Sequence, residues 1–366
     1  MKIITIVGNR PQFVKSAAVC RAIQYWNEQK SEKIVHKIVH TGQHYDENMS
    51  GIFFLEMELP QPDYYLSIGG CSQGAMTGRM IEKIEEILTK ENPHWILVFG
   101  DTNSTLAAAL AAVKLHIPIG HVEAGLRSFN KKMPEEINRI LTDQCADFLF
   151  TPTKNATTQL IKEGIVEGKI QQTGDVMHDV FLHYQKKALK QSRIIEYLNI
   201  QPKNFVLASV HRAENTDNPQ ILKEIIFALI AIGKIKPVIF PVHPRTKKVL
   251  QEQNLLDLAK KELFLLEPTG YFDMLRLESH AEVILTDSGG VQKEAYFSQT
   301  PCITLRNETE WTELIDHGFN KLTPLKQESI VKTYQRTLEE TPNWNNTLYG
   351  NGDSARQIIA LLASPK

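Results

Sequence analysis

Residues 94–115, "HWILVFGDTNSTLAAALAAVKL", place a short apolar run directly before a polar loop and an alanine-rich segment. The run "WILVF" has the length and character of a buried strand, and the alanine-rich segment is typical of a helix. We interpret the stretch as a strand, a loop and a helix. Asp101 follows the strand directly, and we expect Asn103 or Ser104 to cap the helix.

The same order of strand, loop and helix recurs along the chain. Further apolar runs of this kind are "KIITIV", "KIVHKIVH", "PIGHV" and "ADFLF", followed after residue 204 by "FVLASV", "PVIFPV", "LFLL", "AEVILT" and "PCITL". Such alternation predicts parallel sheets covered by helices. A helical stretch rich in Lys and Gln, over about 176–204, separates the two series. We therefore predict an α/β protein with two Rossmann-like, doubly wound domains that face a cleft.

The predicted domains set the limits within which candidate site residues are sought. We place the first domain at residues 1–175 and the second at 176–351. The tail "SARQIIALLASPK" reads as a closing helix, over about 352–366, and we expect it to pack back on the first domain. Ligands of open α/β sheets bind outside the carboxyl ends of the strands, so polar residues that follow strands are the candidates.

Composition excludes several classes of partner. The 366 residues carry a formal net charge of −1, which gives no general field for a polyanion, so we expect neither a nucleic acid nor a membrane as partner. The four cysteines lie far apart without a CxxC pair, which favours reduced thiols, a cytoplasmic protein and no metal site. The apolar runs are far shorter than the roughly 20 residues that a membrane span needs.

The first strand is followed by a loop with the residues of an anion site. In "VGNRPQFVK" a glycine at the strand end precedes Arg10 and Lys15, which suits an anion held by backbone N–H groups, a helix N-terminus and a cation. The alternative is a turn with solvated basic residues. The loop contains neither a Walker sequence nor a GxGxxG fingerprint, so we expect no NAD.

A second glycine-containing loop follows a strand in the other half of the chain. In "LTDSGGVQKEA", Ser288, Gly289 and Gly290 offer free N–H donors that approach a phosphate closely, as only glycine permits. Glu294, about one turn further on, is a candidate for a ribose diol. The alternative is a tight turn with Asp287 or Ser288 as helix cap.

Histidine and arginine end two further strands. His211 and Arg212 occur in "SVHRAEN", and His243 and Arg245 occur in "PVHPR". A single such histidine is usually a satisfied structural group, but two clusters favour contact with a diphosphate, which imidazole and guanidinium suit. His44, in "GQHY", is a weaker candidate of the same kind.

The loop "HVEAGLRSFNKKMPEEINR" concentrates paired charges behind a strand. Glu123 follows the strand, Glu135 lies near the start of the next helix, and Asp101 approaches from the neighbouring strand. Such charges are often merely solvated. Arg127 and Arg139, however, are placed to hold the acids ionised or to bind substrate. Three carboxylates and a histidine beside a diphosphate could act as general acids and bases that transfer a proton while a phosphate leaves.

These motifs together resemble the non-hydrolysing UDP-N-acetylglucosamine 2-epimerases over essentially the whole chain. The matching stretches are "GNRPQFVK", "GDT", "HVEAGLRS", "PEEINR", "HRAEN", "PVHPR" and "LTDSGGVQKEA", in the family's order. The resemblance implies the GT-B fold, with UDP bound by the second domain. It also implies inversion at C2 of a UDP-N-acetylhexosamine without NAD or metal, by elimination of UDP to a 2-acetamidoglucal and its re-addition on the other face.

The resemblance also assigns roles to individual residues. The family's catalytic positions correspond to Asp101, Glu123, Glu135 and His211. Contacts to the diphosphate correspond to Arg10, Lys15, Arg139 and His243, with Ser288 and Gly289 on phosphate and Glu294 on the ribose. Which acid serves which step stays open.

One departure from the family concerns the sugar pocket. Many members that act on UDP-N-acetylglucosamine carry Thr-Glu-Arg-Pro-Glu where this chain has Thr309-Glu310-Trp311-Thr312-Glu313. The phrases "TGQHYDENMSGIFF" and "RNETEWTELI" look most like a subgroup that epimerises UDP-2,3-diacetamido-2,3-dideoxyglucuronate. That sugar's carboxylate needs a cation, for which Arg306 or a lysine of "NKK" is a candidate. We take Arg306, Glu310 and Trp311 as specificity candidates.

Several readings of the function remain open at this point. The substrate is either the 2,3-diacetamido uronate or UDP-N-acetylglucosamine. A glycosyltransferase on the same fold, a hydrolysing 2-epimerase and a non-catalytic nucleotide-sugar sensor are the alternatives, and product analysis separates them. The resemblance further implies a homodimer in the bacterial cytoplasm that supplies precursors of surface polysaccharide, such as lipopolysaccharide or capsule.

Overall fold

The computed structural model describes residues 1–42, 56–340, 342–344 and 347–364, except for the side chain of Arg10. Contacts between residues divide the chain into two units, Met1–Leu182 with Thr347–Lys366, and His183–Asn346. The sequence analysis predicts two domains with slightly different limits. These limits are 1–175 with about 352–366 for the first domain and 176–351 for the second, and they stay a prediction.

The first unit is built on a seven-stranded parallel sheet. Its strands are β1 (Lys2–Val7), β2 (Val35–His40), β3 (Tyr64–Tyr65), β4 (Trp95–Phe99), β5 (Ile119–Val122), β6 (Phe148–Thr151) and β7 (Ile170–Gln172). They lie in the order β3-β2-β1-β4-β5-β6-β7. Strands β1 to β3 are added towards one edge of the sheet, and β4 to β7 are added towards the other. The strand order therefore switches between β1 and β4, and open α/β sheets bind ligands at such a switch point.

Helices follow most strands of this sheet. They are α1 (Arg10–Gln29), α2 (Gln73–Glu91), α3 (Asn103–Lys114), α4 (Pro134–Cys145), α5 (Lys154–Lys162) and α6 (Val176–Gln191), with a short 3-10 turn at Glu167–Lys169. The strand, loop and helix predicted for residues 94–115 are confirmed as β4 and α3. All five residues of β4 are buried because helices cover the sheet, and the alanines of α3 let it pack closely against α2 and α4.

The second unit has six parallel strands in the order β10-β9-β8-β11-β12-β13. They are β8 (Val206–Ser209), β9 (Val238–Pro241), β10 (Phe264–Leu266), β11 (Val283–Thr286), β12 (Cys302–Thr304) and β13 (Asn320–Leu322). The helices are α7 (Ile194–Tyr197), α8 (Ala213–Thr216), α9 (Pro219–Gly233), α10 (Pro244–Glu252), α11 (Leu256–Glu262), α12 (Tyr271–His280), α13 (Gly289–Phe297), α14 (Thr312–Asp316) and α15 (Gln327–Glu339). Two apolar clusters, one on each face of the sheet, form its core.

Two local predictions were wrong. The cap of α3 is Thr102, whose Oγ1 accepts a hydrogen bond from Thr105 N at 3.3 Å, rather than Asn103 or Ser104. Both of those residues lie inside the first turn, where Asn103 accepts from Asn138 Nδ2 at 3.1 Å and Ser104 pairs with Thr41 at 2.8 Å.

The stretch 176–204 is not helical throughout. It consists of α6 and the short α7, and the helix stops at Tyr197. Asn199 adopts φ of +50°, a left-handed conformation that a helix does not continue through. The expected closing helix exists as α16 (Ser354–Ala363), and its packing on α1 of the first unit is confirmed.

Over the part of the chain described here, none of the helices combines the length and the apolar content that crossing a bilayer requires.

Candidate active site

Asp101 and Glu123 lie on neighbouring strand ends of the first sheet. Phe99 of β4 pairs in register with Val122 of β5, so the residues that follow each strand are adjacent. The backbone at Gly100, directly before Asp101, approaches the neighbouring strand end closely, because a Cβ on Gly100 would lie 3.0 Å from Glu123 Oε2 and 3.2 Å from Lys15 Nζ. Gly100 has φ of +61°, so both its conformation and this close approach require glycine.

Glu123 forms a buried ion pair with Lys15. The two residues, on the β5 loop and on α1, are each only 8% exposed. Glu123 also has φ of +71°, a left-handed conformation that is strained for a side chain of its size. Strain of this kind is characteristic of functional sites. The pair therefore marks this strand end as more than a solvated rim.

Arg139 joins Asp101 to Glu136. Its Nη2 lies 2.5 Å from Asp101 Oδ2, and its Nη1 lies 3.3 Å from Glu136 Oε2. Arg139 is buried, whereas the Asp101 side chain remains 31% exposed and accessible to a ligand. Glu136 also accepts hydrogen bonds from the backbone N–H groups of Ser128 and Phe129, at 2.9 and 2.8 Å. The loop before α4 is thereby fixed to the helix that follows it.

The expected role of Arg127 as partner of the catalytic acids was wrong. Its guanidinium binds Asp143 at 2.7 Å and Glu163 at 2.6 and 2.8 Å, so it is directed away from Glu123 and Glu135. Glu135 is half-buried in the first turn of α4. Within the described residues it forms neither a hydrogen bond nor an ion pair.

Three residues important to this site were missed by sequence reasoning. Gln12 accepts from Gly8 N at 2.8 Å and donates to Phe99 O at 2.9 Å, which ties the ends of β1 and β4 together. His121 and Asp143 form a buried pair behind the loops, with Nδ1 and Oδ1 2.7 Å apart. Gln12 and His121 could have been proposed because they lie in the motifs "VGNRPQFVK" and "HVEAGLRSFNKKMPEEINR". A motif, however, does not reveal which way a side chain points.

His44 and the side chain of Arg10 lie outside the described residues.

In the second unit, Asp287 organises two of the predicted clusters. Its buried carboxylate accepts hydrogen bonds from the backbone N–H groups of His211 and Arg212, at 3.0 and 2.9 Å, and from Asn215 Nδ2 at 3.0 Å. The imidazoles of His211 and His243 stack with ring centroids 5.4 Å apart. The structure thus brings together the strand ends of β8, β9 and β11. Arg245 is exposed and pairs with Asp217 at 2.5 Å.

Ser288 caps α13, and the two glycines behind it differ in their surroundings. Ser288 Oγ accepts from Val291 N at 3.5 Å. A Cβ on Gly289 would lie 2.6 Å from Glu310 Oε1, whereas one on Gly290 would have Ser288 Oγ as its nearest neighbour at 3.9 Å. A side chain at Gly289 would therefore displace the buried Glu310 carboxylate, whereas one at Gly290 would have space. Glu294 is buried one turn into the helix.

The three specificity candidates form one buried group next to this helix. Glu310 lies 2.8 Å from Arg306 Nη1 and 3.6 Å from Arg212 Nη2. Trp311 is buried, with Lys293 Nζ 4.1 Å from its ring centroid, a cation–π contact. Arg306 is 2% exposed and its charge is matched by Glu310.

A metal site is not seen in the described part of the chain, where no group of three or more His, Cys, Asp or Glu side chains is suited to hold an ion.

Two doubly wound parallel sheets, each with polar clusters at its strand ends, define a protein of the GT-B type. The sequence profile of the UDP-N-acetylglucosamine 2-epimerases matches residues 27–363, and the chain therefore belongs to that family. Family members are epimerases, so the protein is an enzyme of the isomerase class.

Individual relatives span the full chain. The UDP-2,3-diacetamido-2,3-dideoxy-D-glucuronate 2-epimerase of Pseudomonas aeruginosa is 47% identical over 99% of both chains. The UDP-N-acetylglucosamine 2-epimerase of Methanocaldococcus jannaschii is 45% identical over 100% of both. A crystal structure of the latter enzyme with UDP-N-acetylglucosamine and UDP matches with a TM-score of 0.92, 44% identity and 99% coverage of both chains.

Proposed function

We propose that the protein inverts C2 of a UDP-N-acetylhexosamine by eliminating UDP and adding it back. The observation that carries this proposal is the pair of carboxylates, Asp101 and Glu123, at adjacent strand ends, each paired with a buried cation. Family membership supports the same reaction type.

The chemistry explains why carboxylates and a diphosphate site are needed together. A C2 proton beside an acetamide is too weakly acidic for simple removal and return. If the C1–O bond to UDP breaks as the base takes the C2 proton, a C1=C2 double bond forms and UDP leaves with the bonding electrons. Protonation of C2 on the opposite face and re-formation of the C1–O bond then give the manno isomer. We assign these proton transfers to Asp101, Glu123, Glu135 and His211, with the order of acid and base left to experiment.

We assign the nucleotide to the N-terminus of α13 and its surroundings. Anions bind at helix N-termini, where backbone N–H groups and the helix dipole converge. Ser288, Gly289 and Gly290 supply that terminus, and Glu294 is the proposed partner of the ribose. Further contacts to the diphosphate are proposed for Arg10, Lys15, His44, Arg139, Arg212, His243 and Arg245.

Two sugars compete as the natural substrate. The Pseudomonas relative is named for the 2,3-diacetamido uronate and the Methanocaldococcus relative for UDP-N-acetylglucosamine, at nearly the same identity. We favour the uronate on the motif departures of this chain. Because Arg306 is already matched by Glu310, the exposed Lys131 and Lys132 are the better candidates for the sugar carboxylate.

Proton NMR in D₂O tests the reaction and the substrate together. Each UDP-sugar, labelled with ¹⁸O in the bond between C1 and the diphosphate, is incubated separately with the protein. We expect deuterium at C2 and manno product in the proton spectrum, and scrambling of the ¹⁸O label in the ³¹P spectrum, which reports cleavage of the C1–O bond. Free sugar would indicate a hydrolysing epimerase. Binding without exchange or product would contradict catalysis and favour a nucleotide-sugar sensor, and transfer to an added acceptor would favour a glycosyltransferase.

The cellular setting forms a separate proposal. We place the enzyme in the bacterial cytoplasm as a homodimer that supplies precursors of lipopolysaccharide or capsule. Sedimentation equilibrium tests the dimer, and a monomer at micromolar concentration would contradict it. Loss of the N-acetylmannosamine-type sugar from surface polysaccharide in a deletion strain tests the pathway.

A further inference from the structure

The imidazole of His121 is completely buried behind the two strand ends that carry Asp101 and Glu123. Its Nδ1 lies 2.7 Å from Asp143 Oδ1, and its Nε2 lies 2.8 Å from the carbonyl oxygen of Gly100. A carbonyl oxygen accepts hydrogen bonds and never donates them, so Nε2 must carry a hydrogen. The protonation of Nδ1 then depends on the state of Asp143.

The surroundings of Asp143 favour its ionised form. Its second oxygen accepts a hydrogen bond from Gly125 N at 3.2 Å and lies 2.7 Å from Arg127 Nη1. Burial alone would raise the pKa of Asp143, but hydrogen bonds and charge from His121 and Arg127 outweigh burial and lower that pKa. The contacts with Arg127 and with Gly125 N favour the carboxylate whatever the state of His121. An ionised carboxylate has no hydrogen to give, so Nδ1 of His121 must also be protonated.

Charge balance leads to the same assignment. Arg127 is paired with Glu163 as well as with Asp143, so two carboxylates share one guanidinium. A buried net charge is costly unless it is compensated. The Glu163 side chain is 24% exposed and partly solvated, whereas Asp143 is fully buried, so a protonated His121 supplies positive charge where the compensation is needed.

The buried pair of His121 and Asp143 holds both turns of the candidate active site. His121 fixes the carbonyl of Gly100, directly before Asp101, and Asp143 fixes the N–H of Gly125, two residues after Glu123. Asp143 belongs to α4, the helix that also carries Glu135 and Arg139. One ion pair therefore connects β4, β5 and α4 at the point where their functional side chains project.

We propose that His121 is a positioning residue for the epimerisation: as a doubly protonated imidazolium paired with Asp143, it fixes the backbone of Gly100 and thereby aims the Asp101 carboxylate. The effect of His121 on epimerisation rests on the proposed function. The protonation state of His121 does not depend on any activity.

The decisive measurement is ¹⁵N NMR of the full-length protein labelled at its histidine rings, near pH 7.5. We expect two ring N–H signals from His121, assigned by their loss in His121→Gln. His36 is an internal reference from the same sheet, since burial lowers its pKa to about 4 and it should therefore show a single ring N–H. A single ring N–H on His121 would overturn the proposal.

Kinetics test the positioning role. Asp143→Asn should reduce His121 to one ring N–H and lower kcat by about 100-fold while KM stays within a few-fold, because a small misplacement of the reacting group acts on the chemical step. His36→Gln should leave both constants unchanged. If kcat is retained in Asp143→Asn, His121 has no positioning role. If the parent protein does not epimerise any UDP-sugar, the proposed function fails, and the NMR result on His121 still decides its protonation.

Discussion

Lys15 and Glu123 form a buried ion pair at a strand end where the sequence alone allowed solvated charges. Both side chains are at least 90% buried, and the cation sits against the turn at Gly100. A buried ion pair does not itself imply high stability, since desolvation opposes the attraction. Its removal on one side, however, leaves the other charge buried and uncompensated.

We therefore expect Lys15→Met to lower the free energy of unfolding by about 3–5 kcal/mol, because Glu123 is left without its buried cation. The double variant Lys15→Met with Glu123→Gln should recover most of that loss yet stay inactive. Urea denaturation and the C2 exchange assay measure the two quantities. Lys83→Met, which breaks an exposed pair with Glu86, should cost no more than about 1 kcal/mol. Equal costs for Lys15→Met and Lys83→Met would contradict the argument.

The Asp101 side chain is well placed to act on a ligand, since 31% of it remains exposed while Arg139 binds one of its oxygens. Asp101→Asn keeps the shape and removes the charge, so we expect kcat to fall by about 10²- to 10⁴-fold, the range typical of general acid–base groups. The melting temperature should change little, because the buried Arg139 keeps Glu136 as a counter-ion. Asp257→Asn, an exposed acid in the other unit, should leave kcat unchanged. Activity near that of the parent would remove Asp101 from the mechanism.

Among the elements, α13 combines a capped N-terminus with one glycine that the fold requires and one that it does not. The difference follows from Glu310 and Trp311, which pack against Gly289 but not against Gly290.

Gly289→Ala should destabilise the second unit and weaken UDP binding, because its Cβ would meet Glu310 Oε1 at 2.6 Å and Trp311 Nε1 at 3.2 Å. Gly290→Ala should preserve the melting temperature, so any loss of UDP affinity there reports on the ligand alone. Thermal unfolding and calorimetric titration with UDP provide the measurements. If the two variants unfold at the same temperature, Glu310 does not constrain this turn.

The elements themselves were largely predictable. Residues 94–115 predict a strand and a helix, because five apolar residues are typical of a buried strand and the alanine-rich run that follows is typical of a helix. The cap of α3 was not predictable, because Thr102, Asn103 and Ser104 are all favourable cap residues. Packing alone decided among them. Asn103 and Ser104 are drawn into side-chain hydrogen bonds with Asn138 and Thr41.

For the molecule as a whole, the C-terminal helix returns to the first unit through a buried carboxylate. Asp179 accepts hydrogen bonds from Ser354 N at 3.2 Å and Ala355 N at 2.7 Å, at the start of α16. Burial nevertheless raises the pKa of Asp179 to about 6, because desolvation outweighs these N–H donors.

This raised pKa predicts a pH dependence of stability. An unfolded Asp ionises near pH 4, whereas the folded state keeps its proton up to about pH 6, so this contribution is complete below about pH 4 and is lost as the pH rises through about 6. In Asp179→Asn this loss should be absent. The difference in free energy of unfolding, variant minus parent, should therefore increase by up to about 3 kcal/mol between pH 4 and pH 7, at about 1.4 kcal/mol per pKa unit.

Urea denaturation at several pH values makes that comparison. Asp353→Asn, at an exposed position beside α16, serves as the control and should keep the parent's pH profile. Identical profiles for Asp179→Asn and the parent would show that Asp179 does not titrate in this range.

The sequence by itself determined most of the strands and helices, the two parallel sheets, and the presence of candidate site residues at strand ends. The short strands β3, β7 and β13 were not predicted. It could do so because hydrophobic periodicity is local, and because parallel strands bring their carboxyl ends to one edge of a sheet. Family membership followed from the same strand-end motifs.

Only the tertiary structure decided which charges meet. Glu123 pairs with Lys15, 108 residues away, while Arg127, four residues from Glu123, binds Asp143 and Glu163 instead. The protonation of His121 likewise depends on the carbonyl of Gly100 and on Asp143, which lie on other elements. Pairing of this kind is set by strand register and helix placement, which no single stretch of sequence encodes.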